Sequence, residues 1–149
     1  MKKILIIALS ALSMVACQQE KQQITQTARN YLEATSAYDM DESCQYCTPE
    51  TAQSLQLIKE KILPQLDSAY IAENSKATIK VHKVVQENDT MAKVVFSKRT
   101  PFDTVRDTLR MVKRENRWMA DVHFTLPAIL LNPDIEFSYD TTKTYHALR

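Results

Sequence analysis

Two pairs of side chains in this sequence have the types and spacing for chemistry: Asp121 with His123, and Cys44 with Cys47. A carboxylate and an imidazole two residues apart on an extended chain share one face, so Asp121 and His123 form a candidate general acid–base pair. The plainer reading is a half-exposed strand end. Cys44-Gln45-Tyr46-Cys47 is a CxxC spacing, and three readings stand open for it: two buried thiols on one helical face, a disulfide between Cys44 and Cys47, or redox or metal work. Redox use needs an exposed thiol at a helix start after a strand, whereas this pair sits on a short helical stretch that precedes another helix. A zinc site would have to recruit His82 and His123 from separate strands without a second close pair, so no metal site is expected. His82, His123 and His146 belong to no nucleophile–base pattern, and no HExxH occurs.

No glycine occurs among the 149 residues. Phosphate-cradling loops, dinucleotide fingerprints and nucleophile elbows all need glycine, so those chemistries are excluded and no cofactor is expected. Arg106, Arg110 and Arg114 recur at spacing four along one strand, with Lys80, Lys93 and Arg117 on the same parity of its neighbours. That stripe is a candidate face for an anionic glycan, lipid head group or acidic protein, or else a solvated face whose cations pair with Asp121 and Glu87. A formal charge of +1 and the lack of aromatic residues among these cations argue against nucleic acid as a partner.

The stretch from Ala77 to Val122 must position these groups, and it reads as four strands. Ile79, Val81 and Val85 share a parity, as do Ala92, Val94 and Phe96, then Val105, Leu109 and Met111, then Trp118, Ala120 and Val122. The opposite parity is mostly polar, which predicts an antiparallel meander with one covered face. Turns are expected at residues 87–90, 98–104 and 115–117, with the asparagines taking positive φ in place of glycine.

Helices precede the sheet. Ile24, Ala28, Tyr31, Leu32 and Tyr38 form one stripe, predicting a helix from about residue 20 to 38. Asp39 with Glu42 has capping-box spacing and opens a short helix over about 40–47. Thr48-Pro49-Glu50 opens the longest one, which carries Leu55, Ile58, Ile62 and Leu66 to about residue 72, with a break near Leu63 imposed by Pro64. The expected core is Tyr31, Leu32, Leu55, Ile58, Ile62, Leu66, Val81, Val94, Phe96, Leu109, Met111 and Trp118. Beyond Val122, Pro127 and Pro133 bracket a short apolar turn, Ile135, Phe137 and Tyr139 alternate like a further strand, and residues 141–149 read as a polar tail.

The beginning of the chain is of another kind. Lys2 and Lys3, the apolar run Ile4 to Leu12 and Ser13-Met14-Val15-Ala16-Cys17 have the layout of an export signal ending in cysteine. This resembles the lipobox of bacterial lipoproteins, which implies that residues 1–16 are removed and Cys17 is acylated; the alternative is an ordinary secretory signal with a coincidental cysteine. Cleavage would take Lys2 and Lys3 from the 19 basic residues, leaving 17 against 18 acidic. Residues 17–23 then read as lipidated Cys17 and a polar tether reaching about 20 Å when fully extended. Gln18 and Gln19 do not supply the Asp that retains some lipoproteins in the inner membrane, so a lipid-anchored position at the cell outer membrane is expected.

The order of anchor, tether, amphipathic helix, short helix into Cys47-Thr48-Pro49-Glu50, long helix, and a meander closing on Asn116-Arg117-Trp118 resembles lipid-anchored envelope domains of the nuclear-transport-factor-2-like, cystatin-like fold. The resemblance implies an α+β roll over residues 24–140, with N-terminal helices packed on a curved four-stranded antiparallel sheet around a cone-shaped cavity. Tyr31, Tyr38, Phe96 and Trp118 would line that cavity. The function expected is a non-catalytic binding or assembly module for a small molecule, glycan or protein partner, or for a second copy as a homodimer. The alternative is a cofactor-independent isomerase or hydrolase using Asp121 and His123, with Tyr31 or Tyr38 orienting substrate.

Overall fold

A computed structural model describes residues 2–124, with side chains from Cys17 onward. The apolar turn, the alternating Ile135–Tyr139 stretch, the polar tail and His146 lie outside the described residues. Helix α1 spans Lys2–Ser36, α2 Met40–Ser43, α3 Pro49–Lys61 and α4 Ser68–Asn74, with 3-10 turns at Cys44–Tyr46 and Leu63–Gln65. Strands β1 (Thr78–Asn88), β2 (Met91–Arg99), β3 (Thr104–Arg114) and β4 (Arg117–Ala120) follow, in the order β1-β2-β3-β4 and all antiparallel. This is the α+β roll that the alternating pattern predicts, with the helices against one sheet face.

The core joins the α1 stripe to the inner parity of the sheet. Ile24, Ala28, Tyr31 and Leu32 from α1 and Leu55 from α3 pack with Ile79, Val94, Phe96, Leu109, Met111 and Trp118. Val81 and Ile58 are only partly buried against this cluster, and Ile62 and Leu66 are half-buried beyond the end of α3 at Lys61. That break falls where expected: α3 stops at Lys61 and a 3-10 turn carries Leu63–Gln65. Asp67 then caps α4, its carboxylate accepting from Ala69 and Tyr70 amides.

The first strand departs from simple alternation. Val81 pairs with Phe96 and Lys83 with Val95, so His82 is an extra residue and the side chains from Lys83 to Gln86 change face, up to a second irregularity between Gln86 and Asn88. Val85, expected inside, is 38% exposed, while Val84 and Gln86 turn inward. Val105, also expected on the covered face, is 50% exposed because the β2–β3 end of the sheet projects past the helices.

Turns without glycine are solved in three ways. At the end of α1, Asp39 N–H reaches Ala34 O at 3.0 Å and Tyr38 N–H reaches Thr35 O at 3.2 Å, the paired closing bonds of a helix whose next residue is left-handed. That residue is Tyr38, at φ 59°. Because Asp39 N–H is spent there, the capping box is half made: Asp39 Oδ1 accepts Glu42 N–H at 2.9 Å. In the β1–β2 turn, Asn88 Oδ1 accepts Thr90 N–H at 2.9 Å, a side-chain turn in place of the expected positive φ. In the β3–β4 turn, Glu115 (φ 50°) and Asn116 (φ 63°) are both left-handed between the paired Arg114 and Arg117, a two-residue type I′ loop.

Left-handed backbone costs an ordinary L-residue about 1–2 kcal/mol, and Asn much less. Glu115 is exposed. Glu115→Asn is therefore expected to raise unfolding stability by about 0.5–1 kcal/mol in denaturant titration; a loss of stability would contradict the type I′ assignment.

Candidate functional site

The acid–base candidates lie where β4 ends and α3 begins. Thr48, the N-cap of α3, is extended (φ −66°, ψ 155°), and its Oγ1 accepts Thr51 N–H at 3.3 Å. The same stretch runs beside the end of β4: Cys47 bridges Ala120 in parallel, and Thr48 N–H donates to Ala120 O at 2.9 Å. Thr51 Oγ1 accepts Val122 N–H at 2.9 Å and faces Val122 O at 3.2 Å. It lies 2.9 Å from Thr48 Oγ1, which is 3.4 Å from Asp121 Oδ1. Thr48 and Thr51 are wholly buried and Asp121 is 7% exposed, so this is a satisfied polar knot inside the fold.

Asp121 is committed to that knot. Its second oxygen lies 3.3 Å from Arg110 Nε and 3.6 Å from His123 Nε2. The imidazole is 77% exposed. Asp121 and His123 are thus brought together as the spacing predicts, but the ring points to solvent at a separation longer than a hydrogen bond. His82 also faces outward, from the bulge, with Nε2 2.9 Å from Ser97 Oγ.

The arginine stripe is partly neutralised by its own chain. Arg110 pairs with Asp121, Arg114 Nη1 meets both Glu50 oxygens at 3.0 Å, and Lys93 pairs with Glu87 at 2.6 Å. Arg106 stands exposed on the part of β3 that projects past the helices.

The proposed cavity residues are divided. Tyr31, Phe96 and Trp118 are 3%, 9% and 5% exposed within the core cluster, and burial pushes the Tyr31 phenol far above its ordinary range. Tyr38 is half-buried at the helix end, and burial, with the Tyr70 phenol beside it, pushes it up to about 12. Cys44 and Cys47 are both free thiols. They do not share a helical face, because Cys47 is extended (φ −126°, ψ 170°) beyond the 3-10 turn. Cys47 is buried, which together with the neighbouring Cys44 pushes its thiol up to about 12, the direction of an inert rather than a nucleophilic sulfur. Cys44 is half-buried under Gln56 Nε2 at 3.5 Å.

Concave surface is found on either side of Arg117. One groove of about 450 Å³ is lined by Cys44, Gln45, Cys47, Pro49, Arg117 and Met119. A second, of about 310 Å³, is lined by Gln23, Thr27, Gln45, Tyr46, Asn116 and Trp118 as well as Arg117. The guanidinium between them is held by Gln45 O at 3.4 Å. Both grooves are open to solvent, and the arginine supplies one cationic contact to each.

A second polar knot lies where α1 meets the sheet. Glu20, read as part of a tether, lies within α1 and accepts Lys113 Nζ at 2.6 Å, Gln86 Nε2 at 3.2 Å and Trp118 Nε1 at 3.3 Å. Lys113 also sits 5.8 Å from the centre of the Trp118 ring. The three donors come from β3, β1 and β4, so one carboxylate ties the start of the docked helix to most of the sheet. Gln86 reaches it only because the His82 bulge turns that side chain inward. The signal present in the sequence was spacing: Glu20 lies four before Ile24 on the buried stripe. Thr51, four before Leu55, carried the same kind of signal.

Among the described residues no group of three or more His, Cys, Asp or Glu side chains is placed to hold a metal ion, and no helix is long and apolar enough to cross a membrane. No protein-family model and no curated protein matches the sequence. Among solved structures, the chain is similar to an NTF-2-like protein of unknown function from Shewanella oneidensis MR-1, at 19% identity and a TM-score of 0.49, over 68% of this chain and 93% of that one.

The hydrogen bonds from Lys113 and Gln86 hold the Glu20 carboxyl below its usual range. A depressed folded-state pKa contributes stability above the unfolded value, about 4.3, that is lost as pH falls through the folded value. Glu20→Gln should therefore destabilise the protein near neutral pH and flatten the acid limb of its stability curve. An acid limb parallel to the parent's would show that Glu20 does not make these bonds in solution.

Proposed function

We propose that this chain is a lipoprotein of the bacterial outer membrane, anchored through acylated Cys17, whose small α+β domain is a non-catalytic binding or assembly module. The observation that carries the non-catalytic reading is the geometry at Asp121 and His123. The carboxylate is spent on Thr48 and Arg110, and the imidazole, 77% exposed, lies 3.6 Å from it. A working acid–base pair needs both groups turned toward one enclosed substrate position within hydrogen-bond reach. The isomerase or hydrolase alternative loses further support from Tyr31, a buried phenol whose proton is harder to remove than in water.

The binding reading draws on the paired grooves around Arg117, where a guanidinium already oriented by Gln45 O faces apolar and thiol-lined surface. A small anionic or polar ligand fits this arrangement better than the outer β3 face, on which Arg110 and Arg114 already have carboxylate partners. The membrane reading draws on the order of Lys2, Lys3, the apolar run and Cys17.

Native mass spectrometry of the mature protein extracted from its host membranes would test both parts. The expected spectrum shows acylated Cys17 and a retained ligand or partner whose occupancy falls sharply in Arg117→Ala and is unchanged in His123→Ala. Cys17→Ser should accumulate as uncleaved precursor. A ligand recovered chemically converted by the parent but not by His123→Ala would overturn the binder reading.

A further inference from the structure

The position of Cys17 on the folded domain carries a consequence for how that domain meets a bilayer. Cys17 is exposed and continuous with α1, three residues before the pinned Glu20, an axial rise of about 4.5 Å in a helix. A free six-residue tether would allow about 20 Å. The lipid attachment point is therefore fixed relative to the sheet.

Around it lies an open groove of about 680 Å³, lined by Cys17, Lys21, Lys83, Val84, Val85 and Asp89 among others. The groove combines two ammonium groups with valine surface, Val85 being 38% exposed because of the His82 bulge. Of its two carboxylates, Glu20 is occupied by Lys113 and Asp89 stands in the β1–β2 turn. Apolar surface flanked by lysines suits the boundary between lipid head groups and acyl chains. This end of the sheet also holds the β1–β2 turn, and the β2–β3 turn stands at the opposite end. β2, nine residues long, separates the two turns by about 30 Å. At that far end Phe102 is 70% exposed.

Resting on the acylation of Cys17, we infer that the groove between α1 and β1 is the membrane-contacting surface of the domain. Lys21 and Lys83 meet lipid head groups, the exposed Val85 covers the first part of the acyl attachment, and the Phe102 hairpin is presented away from the bilayer. The Glu20 knot makes the domain stand on the membrane in one orientation.

The test places an environment-sensitive fluorophore on Asp89→Cys and, separately, on Phe102→Cys in the full mature lipoprotein. The proteins are reconstituted into phosphatidylethanolamine–phosphatidylglycerol vesicles carrying head-group nitroxide lipid. Cys17 is acylated and Cys47 buried, and parent protein treated identically supplies the blank for Cys44. The expected result is loss of most of the fluorescence at position 89 and little loss at 102, with the contrast diminished in Glu20→Ala. Val85→Cys serves as a second proximal position should a label at 89 disturb the turn. Vesicle-bound protein with equal quenching at both ends, or stronger quenching at 102, overturns the fixed stance while leaving the anchor standing. Protein with unmodified Cys17 by mass spectrometry that fails to co-sediment with vesicles overturns the anchor and the stance together.

Discussion

The carboxylate of Glu20 takes hydrogen bonds from Lys113, Gln86 and Trp118, on three of the four strands, and the placement of α1 follows from them. A hydrogen bond to a charged group contributes about 1.5–3 kcal/mol where it is sheltered, more than a neutral one. Glu20 and Lys113 side chains are about three-quarters covered, at 25% and 27% exposure, so these bonds are partly shielded from water and salt. With Glu20 fixed, Ile24, Ala28, Tyr31 and Leu32 arrive on Val94, Met111 and Trp118 in register. The other end of the layer is closed by Thr48, Thr51 and Asp121, which hold the start of α3 against the end of β4. Two polar knots thus fix the helical layer at separate points, and the apolar core fills the space between them.

The junction of α3 with the end of β4 takes up residues that would otherwise suggest chemistry. Asp121 reads as a catalytic carboxylate by spacing from His123, yet its burial and its partners make it a structural acceptor. Cys47 reads as half of a CxxC, yet it is the extended residue that bridges Ala120, with a thiol held in its protonated form. Among the described residues, open surface lies at the periphery, in the grooves beside Arg117, the valine- and lysine-lined groove beside Cys17 and the Phe102 hairpin.

Much of the fold was legible because period-2 and period-3.6 patterns are strong where one face is buried. The four strands, the break at Pro64, the Thr48 cap and the α1 stripe all follow from side-chain spacing. What spacing could not show was the inserted residue. The bulge at His82 reverses the faces of Lys83 to Gln86, so simple alternation puts Val85 inside and does not point to Gln86 as a partner of Glu20. Tyr38 presented a similar difficulty, since a bulky aromatic residue at φ 59° is disfavoured locally and is accepted only because two helix-closing bonds require it. Glu20 itself was hidden by composition: QQEKQQ looks like solvated linker until its single inward position is counted from Ile24.

The placement of α1 turns on whether the chain from Cys17 to Ile24 is docked helix or free tether, and amide hydrogen exchange measures this directly. A docked segment predicts that the amides from Lys21 to Ala28 exchange with protection comparable to the α1 residues packed on the sheet, and that Glu20→Ala strips protection from the first turns while leaving β2 and β3 unchanged. Exchange at unfolded-chain rates from Gln18 through Ile24 in the parent protein would contradict it, since Glu20 would then hold nothing.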